Sequence, residues 1–293
     1  MTLDESVRRL GTVFDLAAEA YDAARSSYPR SLVDLAIERG NLAAGSRVLE
    51  VGCGTGKLTE LLVERGLLVD GVDPGPNMIA IAQRRLGETD AVTFHLGRFE
   101  DVDLPQQPFE AVFSATAFHW VDPTIGWAKA AAFLKVGGSL ALLSHVDCRD
   151  EQSRSMQDEF PAVLRRHAPE VAAEWRQPAE FDAVLAGVAE RRGNPSEVWD
   201  WLMQGGLPRE LAVPEAARLF EDVEVTSETY FVETTADELV SRLRTASLYH
   251  RIDPACRDAF EEDHRRLVER LGGTVRSSRA VVLMTARRSA RRG

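Results

Sequence analysis

VLEVGCGTGKLTELL, residues 48–62, places Gly52, Gly54 and Gly56 between an apolar run and an amphipathic one. Val48, Leu49 and Val51 predict a short buried strand, and Leu58, Leu61 and Leu62 recur at helical spacing until Gly66 offers a stop. A strand, a glycine turn and a helix N-terminus, in that order, are where open α/β sheets bind nucleotides. Bare backbone there lets a ligand approach, and exposed N–H groups face it. The dinucleotide fingerprint GxGxxG would need its third glycine at 57, where Lys57 stands, which speaks against NAD.

Outward from this stretch the alternation continues. Residues 67–72 predict a second strand that ends at Asp73, Pro74, Gly75 and Pro76, and Met78, Ala82 and Leu86 then share one helix face. Further strands are predicted at 92–96, 111–114 and 139–144, with a helix over 123–134 between the last two. Five strands alternating with helices imply a parallel sheet covered by helices. Upstream, Ser31 and Asp34 have the spacing of a capping box, ahead of a helix whose buried face is Leu32, Leu35 and Ala36. The stretch from 148 to 220 is far longer than a crossover needs and carries helical patterns around Phe160, Val184 and Trp199, so an inserted helical cap is expected. A strand at 223–231, helices at 235–246 and 256–271, and a last strand at 280–285 complete the pattern.

The series Glu50-x-Gly52-x-Gly54-x-Gly56, with Asp73 ending the next strand, resembles motif I and its acidic partner in the class I S-adenosylmethionine-dependent methyltransferases. The resemblance implies a Rossmann-like, seven-stranded doubly wound α/β sheet. It also implies S-adenosylmethionine as cofactor, S-adenosylhomocysteine as product, and an Asp73 carboxylate that accepts both ribose hydroxyls. Phe14, Tyr21 and Arg25 with Tyr28 and Pro29 look like the N-terminal signature of a small-molecule branch that includes the trans-aconitate methyltransferases. There Tyr21 and Arg25 would approach the methionine carboxylate, which a guanidinium grips with two bonds. HLGRFEDVDLP, residues 95–105, is similar to the third-strand loop that touches adenine through the backbone N–H at Phe99; Arg98 stands where many relatives carry Asp. Pro74, Met78 and Ala115 complete the implied cofactor contacts. ATAFHWVDP, residues 115–123, resembles the loop that carries a His-Trp pair at the active-site mouth, which makes His119 and Trp120 the catalytic candidates. Ser247, Tyr249 and His250 lie in a segment similar to one that returns toward the pocket.

The implied division is an N-terminal helical lid at 1–30, a cofactor-binding core at 31–147, a helical cap or substrate insertion at 148–220 and the rest of the α/β core at 221–293. The 293 residues, 44% hydrophobic and 28% charged, have an ordinary globular composition. A formal charge of −11 argues against nucleic-acid binding, and the only basic cluster, Arg287, Arg288, Arg291 and Arg292, is expected to be a solvated tail. The mixed-charge N-terminus and the lack of a long apolar run predict neither a secretory signal nor a membrane partner. Cys53, Cys148 and Cys256, without a CxxC pair, suit a reducing cytoplasm. No metal is expected.

The expected chemistry is methyl transfer by in-line displacement to a small molecule, with a carboxylate or hydroxyl oxygen preferred. Orientation can supply about 7–11 kcal/mol of the barrier, more than the hundredfold to ten-thousandfold that a general base typically adds. His119, and after it His145, would serve as base if the acceptor needs one. A tRNA-modifying methyltransferase, and a non-methylating cofactor-binding protein or cyclase on the same fold, are the alternatives.

Overall fold

Side chains alternate across each strand, and that alternation decides which helical layer each residue meets. In this computed structural model residues 14–104, 108–151, 153–175, 177, 179–206 and 213–290 are described. In chain order, α1 (Ala18–Ala24) and α2 (Arg30–Arg39) precede β1 (Arg47–Val51), α3 (Lys57–Val63), β2 (Leu68–Asp73), α4 (Pro76–Leu86) and β3 (Val92–Leu96). Then come β4 (Phe109–Ala115), α5 (Pro123–Phe133), β5 (Leu134–Asp147), α6 (Arg154–His167), α7 (Pro169–Glu174), α8 (Phe181–Val188), α9 (Pro195–Met203) and α10 (Ala216–Leu219). The chain ends with β6 (Phe220–Thr235), α11 (Ala236–Arg244), α12 (Ser247–His250), α13 (Arg257–Arg270) and β7 (Thr274–Arg288).

The seven strands form one sheet in the order β3-β2-β1-β4-β5-β7-β6, with β7 antiparallel to both of its neighbours. This is the expected Rossmann-like sheet. Leu49, Val112, Leu140, Leu142, Val282 and Met284 point to one face, where Trp127, Ala130 and Ala131 of α5 meet them. Val48, Phe113, Ala141, Leu143, Val281 and Leu283 point to the other, against Leu32, Val33 and Ala36 of α2 and Leu58, Leu61 and Leu62 of α3. Each such side chain contributes about 1.5–3 kcal/mol by leaving water.

Three expectations are corrected. The stretch 148–220 does not form one cap. Its α8 and α9 pack Val184, Val188, Val198, Trp199 and Leu202 onto the sheet core, whereas Val163, Leu164 and Val171 of α6 and α7 join Phe260 and Leu267 of α13 in a separate cluster. The capping box at Ser31 is absent: Pro29 pre-sets the start of α2, Ser31 binds Glu228, and Asp34 pairs with Arg65. A capping box does form at Thr235 and Glu238, where β6 turns into α11. Nor are Arg287 and Arg288 a loose tail. They belong to β7 and bond the backbone oxygens of Arg39 and Leu134, while Arg291 and Arg292 lie outside the described residues. No helix among the described residues is long and apolar enough to cross a membrane.

If α9 is core, truncating Trp199 should unfold the whole protein more easily. Trp199→Ala is expected to cost about 3–5 kcal/mol, read as an earlier single transition in a denaturant titration. A detached cap would instead melt separately and leave the main transition in place.

Candidate active site

A cavity of about 420 Å³ opens at the C-terminal ends of β1, β2 and β4. The backbone there is tied tightly: Gly52 and Cys53 both donate to the Val72 carbonyl, at 2.8 and 3.0 Å, and Gly56 donates to Cys53 at 2.9 Å. The three glycines have different tasks. All lie at positive φ (72°, 53° and 81°), where a side chain is strained. A Cβ at Gly52 would stand 2.2 Å from Ala117 Cβ, and one at Gly56 would press on Ala82 of α4 at 3.0 Å. A Cβ at Gly54 would meet nothing within 4 Å. Gly54 therefore opens the loop toward a ligand, Gly52 admits the β4 loop, and Gly56, which does not line the cavity, lets α3 and α4 approach.

Asp73 closes β2 with both carboxylate oxygens engaged, Oδ2 accepting from Gly54 N–H at 2.9 Å and Oδ1 from Gly75 N–H at 2.8 Å. Burial pushes its pKa up to about 6 against these bonds. Each oxygen keeps a lone pair for a further donor. Deeper still, Glu50 is only 1% exposed and accepts from Thr59 Oγ1 at 2.7 Å; burial, reinforced by Asp73, raises it to about 8.

The N-terminal segment straps across this floor. Asp15 Oδ1 accepts from the N–H groups of Asn77 and Met78, at 2.7 and 3.1 Å, and so caps α4 from a distance in sequence. Asp22 takes Thr55 Oγ1 at 2.6 Å, Arg85 at 2.7 Å and Lys57 Nζ at 3.1 Å. Lys57, the residue that breaks the dinucleotide fingerprint, is thus a fastener for the strap. Phe14 packs edge-on against Tyr21 and Trp120, at 5.6 Å each, and Met78 joins Ala18 beneath them. Arg25 lies beside Tyr21 and donates through Nη2 to the Thr245 carbonyl at 3.1 Å, but its buried Nε has no partner among the described residues.

On the opposite wall, Ala115 ends β4 and Thr116 follows at φ 54°, a strained conformation for a β-branched residue, steadied by Tyr28 OH at 3.0 Å. His119 and Trp120 sit on the turn Phe118–Trp120 and both line the cavity. Surrounding protein pushes the His119 pKa down to about 4, although its ring opens onto the cavity and meets solvent there. Phe99 lines the cavity while its ring belongs to the core beside Phe133. Arg98 binds Glu100 Oε1 at 2.8 Å, an oxygen that also accepts the Asp122 N–H at 2.9 Å.

The cavity thus gathers Tyr21, Arg25, Glu50, Gly52, Gly54, Asp73, Pro74, Met78, Phe99, Ala115, His119 and Trp120. Ser247 also lines it, whereas Tyr249 and His250 do not; the Tyr249 hydroxyl is spent on Glu261 at 2.6 Å. Sequence reasoning missed Asp15, Asp22, Glu100, Tyr230 and Arg242. The four charged residues look like solvated surface, and Tyr230 like an ordinary strand residue, until the fold brings the segments together. No described residue of 148–220 contributes to the lining. The donor and acceptor set fits S-adenosylmethionine: open backbone at Gly54, a carboxylate for two ribose hydroxyls at Asp73, and an unpaired guanidinium N–H at Arg25.

Residues 48–138 match a family model described as a methyltransferase domain. An uncharacterized methyltransferase of Mycobacterium tuberculosis is 41% identical over 147 residues, which is 50% of this chain and 57% of that protein. A malonyl-[acyl-carrier protein] O-methyltransferase of Serratia marcescens is 32% identical over 111 residues, 38% of this chain and 42% of that one. The chain thus spans little more than half the length of the first of these relatives and less than half of the second. Among solved structures, a putative type II methyltransferase from Anaeromyxobacter dehalogenans superposes with a TM-score of 0.53 at 23% identity, covering 90% of this chain and 97% of that one, which shows the shared fold. Residues 48–138 accordingly resemble a methyltransferase domain, and the sheet around them has the fold of solved methyltransferases.

Two outcomes are expected. Gly54→Ala should fold with a loss of about 1–2 kcal/mol for its backbone conformation yet bind S-adenosylmethionine poorly, whereas Gly52→Ala should add about 1–3 kcal/mol of overpacking and lose stability first. Thermal melts beside binding calorimetry separate the two. Glu50, protonated in the free protein below about pH 8, should release a proton when a cationic ligand arrives at pH 7.5. The binding heat should then vary with the buffer's ionisation enthalpy, and Glu50→Gln should remove that variation. Because its folded pKa lies above the ordinary 4.5, the stability Glu50 contributes declines as pH rises from 4.5 through about 8.

Proposed function

We propose that the chain is an S-adenosylmethionine-dependent methyltransferase that acts on a small molecule, by preference at an oxygen, and belongs to a branch like that of the trans-aconitate methyltransferases. The observation that carries the reading is the Asp73 carboxylate, suspended between the Gly54 and Gly75 amides at the open end of the glycine turn. The name of the Serratia relative, a malonyl-[acyl-carrier protein] O-methyltransferase, is compatible with an oxygen acceptor.

When bound, the cofactor supplies both the methyl group and its own leaving group, because the methyl sits on positively charged sulfur. The protein's part is placement. Asp73 would hold the ribose through its two acceptor oxygens, and Arg25, whose buried Nε has no partner among the described residues, would hold the methionine carboxylate. Phe14, Tyr21 and Trp120 close an aromatic wall that excludes water and favours a cationic centre. His119 and Trp120 border the acceptor's approach, which must be in line at about 3–3.5 Å. His119, exposed at the cavity mouth, would serve as base where the acceptor needs one.

The N-terminal segment to residue 30 acts as the lid over a core at 31–147 and 221–293, fastened at Asp15 and Asp22. The acceptor side is built from α11 and α12, and 148–220 supports the sheet from outside the cavity. We also place the protein in a reducing cytoplasm, where Cys53, Cys148 and Cys256 stay free as they are here, with no nucleic-acid partner given the charge of −11.

Calorimetry with S-adenosylmethionine tests the reading. Hydrogen bonds to a charged group are each worth about 1.5–3 kcal/mol, so Asp73→Ala should raise Kd about a hundredfold or more. The ionised carboxylates are the binding forms: affinity should fall as pH drops below about 8, where Glu50 must lose its proton on binding, and more steeply as pH drops through about 6, where Asp73 is protonated too. Absence of binding heat on folded protein would overturn the assignment.

A further inference from the structure

A nucleoside whose ribose lies at Asp73 has to send its base away from the glycine turn, because the methionyl tail runs along that turn toward Arg25. On that side Pro74, Arg98, Phe99, Glu100 and Val121 line the cavity. The loop after β3 is pinned there at three points. Gly97 N–H donates to the Asp73 carbonyl at 3.0 Å, Lys129 Nζ to the Glu100 and Val102 carbonyls at 2.9 and 3.0 Å, and the Asp122 N–H to Glu100 Oε1 at 2.9 Å. A 6-aminopurine brings an exocyclic amino donor to such a wall. Arg98 cannot take that donor, since a guanidinium only donates. Of the carboxylates that line the cavity, Asp15 is spent on Asn77 and Met78, Glu50 on Thr59, Asp73 is given to the ribose, and Asp147 stands with Arg242 at the end of β5. Glu100 is left. Its side chain is 8% exposed; Arg98 Nη2 binds Oε1 at 2.8 Å, and Oε2 makes no hydrogen bond to another described residue.

We propose that Glu100 selects the base, its Oε2 accepting the amino group of a 6-aminopurine nucleoside, while Arg98, bound to Oε1, is the positioning residue that holds the carboxylate in place. The proposal rests on this cavity holding S-adenosylmethionine. The acceptor thereby stands two positions further along the loop than the Asp that many relatives of the branch carry at 98. Burial pushes the Glu100 pKa up, but the bonds from Arg98 and the Asp122 N–H bring it below the ordinary 4.5, so a carboxylate and not a carboxylic acid faces the base. A carboxylate has acceptors only. A base with hydrogen in place of the amino group leaves the charge unpaired, and one with an oxo group sets acceptor against acceptor. Loop and acid are both fixed before the ligand arrives, which keeps the ordering cost of that choice small.

The test titrates the full chain with S-adenosylhomocysteine and with its deamino analogue, the same molecule carrying hydrogen in place of the 6-amino group. The analogue should bind at least about tenfold more weakly, because it leaves a charged acceptor without its donor. Glu100→Gln, alike in shape but uncharged, should weaken S-adenosylhomocysteine about threefold to tenfold and the analogue by less than about twofold, so that the ratio between them narrows. A Glu100 that served only to hold the Asp122 N–H would weaken both ligands alike. Should Glu100→Gln fold poorly, Arg98→Ala is the second variant; it should narrow the same ratio about threefold, and Arg98→Lys should restore part of it. Equal binding of the two ligands by the unaltered chain, equal weakening of both in the variants, or a ratio that the variants leave unchanged would overturn the role of Glu100. Failure of both ligands to bind the folded chain would overturn the cofactor assignment instead.

Discussion

One carboxylate organises the nucleoside half of this protein. Asp73 spans the gap between two loops that leave neighbouring strands, accepting an amide from each, and in doing so ties the glycine turn to the end of β2. A buried carboxylate normally carries a cost unless its hydrogen bonds are satisfied. Here two are satisfied by the chain and the remaining acceptor capacity faces the cavity. Much of what surrounds it follows from that arrangement, including the bare backbone at Gly54, the cap that Asp15 places on α4 and the strap that Asp22 fastens to Lys57, Thr55 and Arg85.

The nucleoside half was legible because its determinants are local. Val48 to Leu62 encodes a strand, a turn and a helix within fifteen positions of each other by period and by glycine, and the close contacts at Gly52 and Gly56 explain why no side chain is tolerated there. Burial of both sheet faces made β1, β2 and β4 apolar enough to read directly. What could not be read is the long-range pairing. Asp15 and Asp22 resemble surface acids until α1 is laid across α3 and α4, and Arg242 resembles the polar face of a surface helix until α11 meets the end of β5.

The errors have the same origin. Helical periodicity identified α6 to α9 as helices without saying what they pack against, so a layer of the core and a peripheral cluster were merged into one cap. At Ser31 the spacing of a capping box was right, but the helix begins at Arg30 with Pro29 at its N-cap, so Ser31 lies inside the first turn and both side chains pair elsewhere, with Glu228 and Arg65. Local signals name an element well; partners about 30 to 200 residues away decide its task.

The placement of β7 has a wider implication. Running antiparallel between β5 and β6, it brings Asp147, Arg279 and Tyr230 into a single row across three strands, at the sheet end away from Asp73. The cavity lining is therefore drawn from the N-terminal strap, from residues 50–121 and from a later block between His145 and Ser247, and the matched stretch 48–138 contains only the second of these. Changes in the first or the last of these would leave the glycine turn and Asp73 in place while reshaping the rest of the lining.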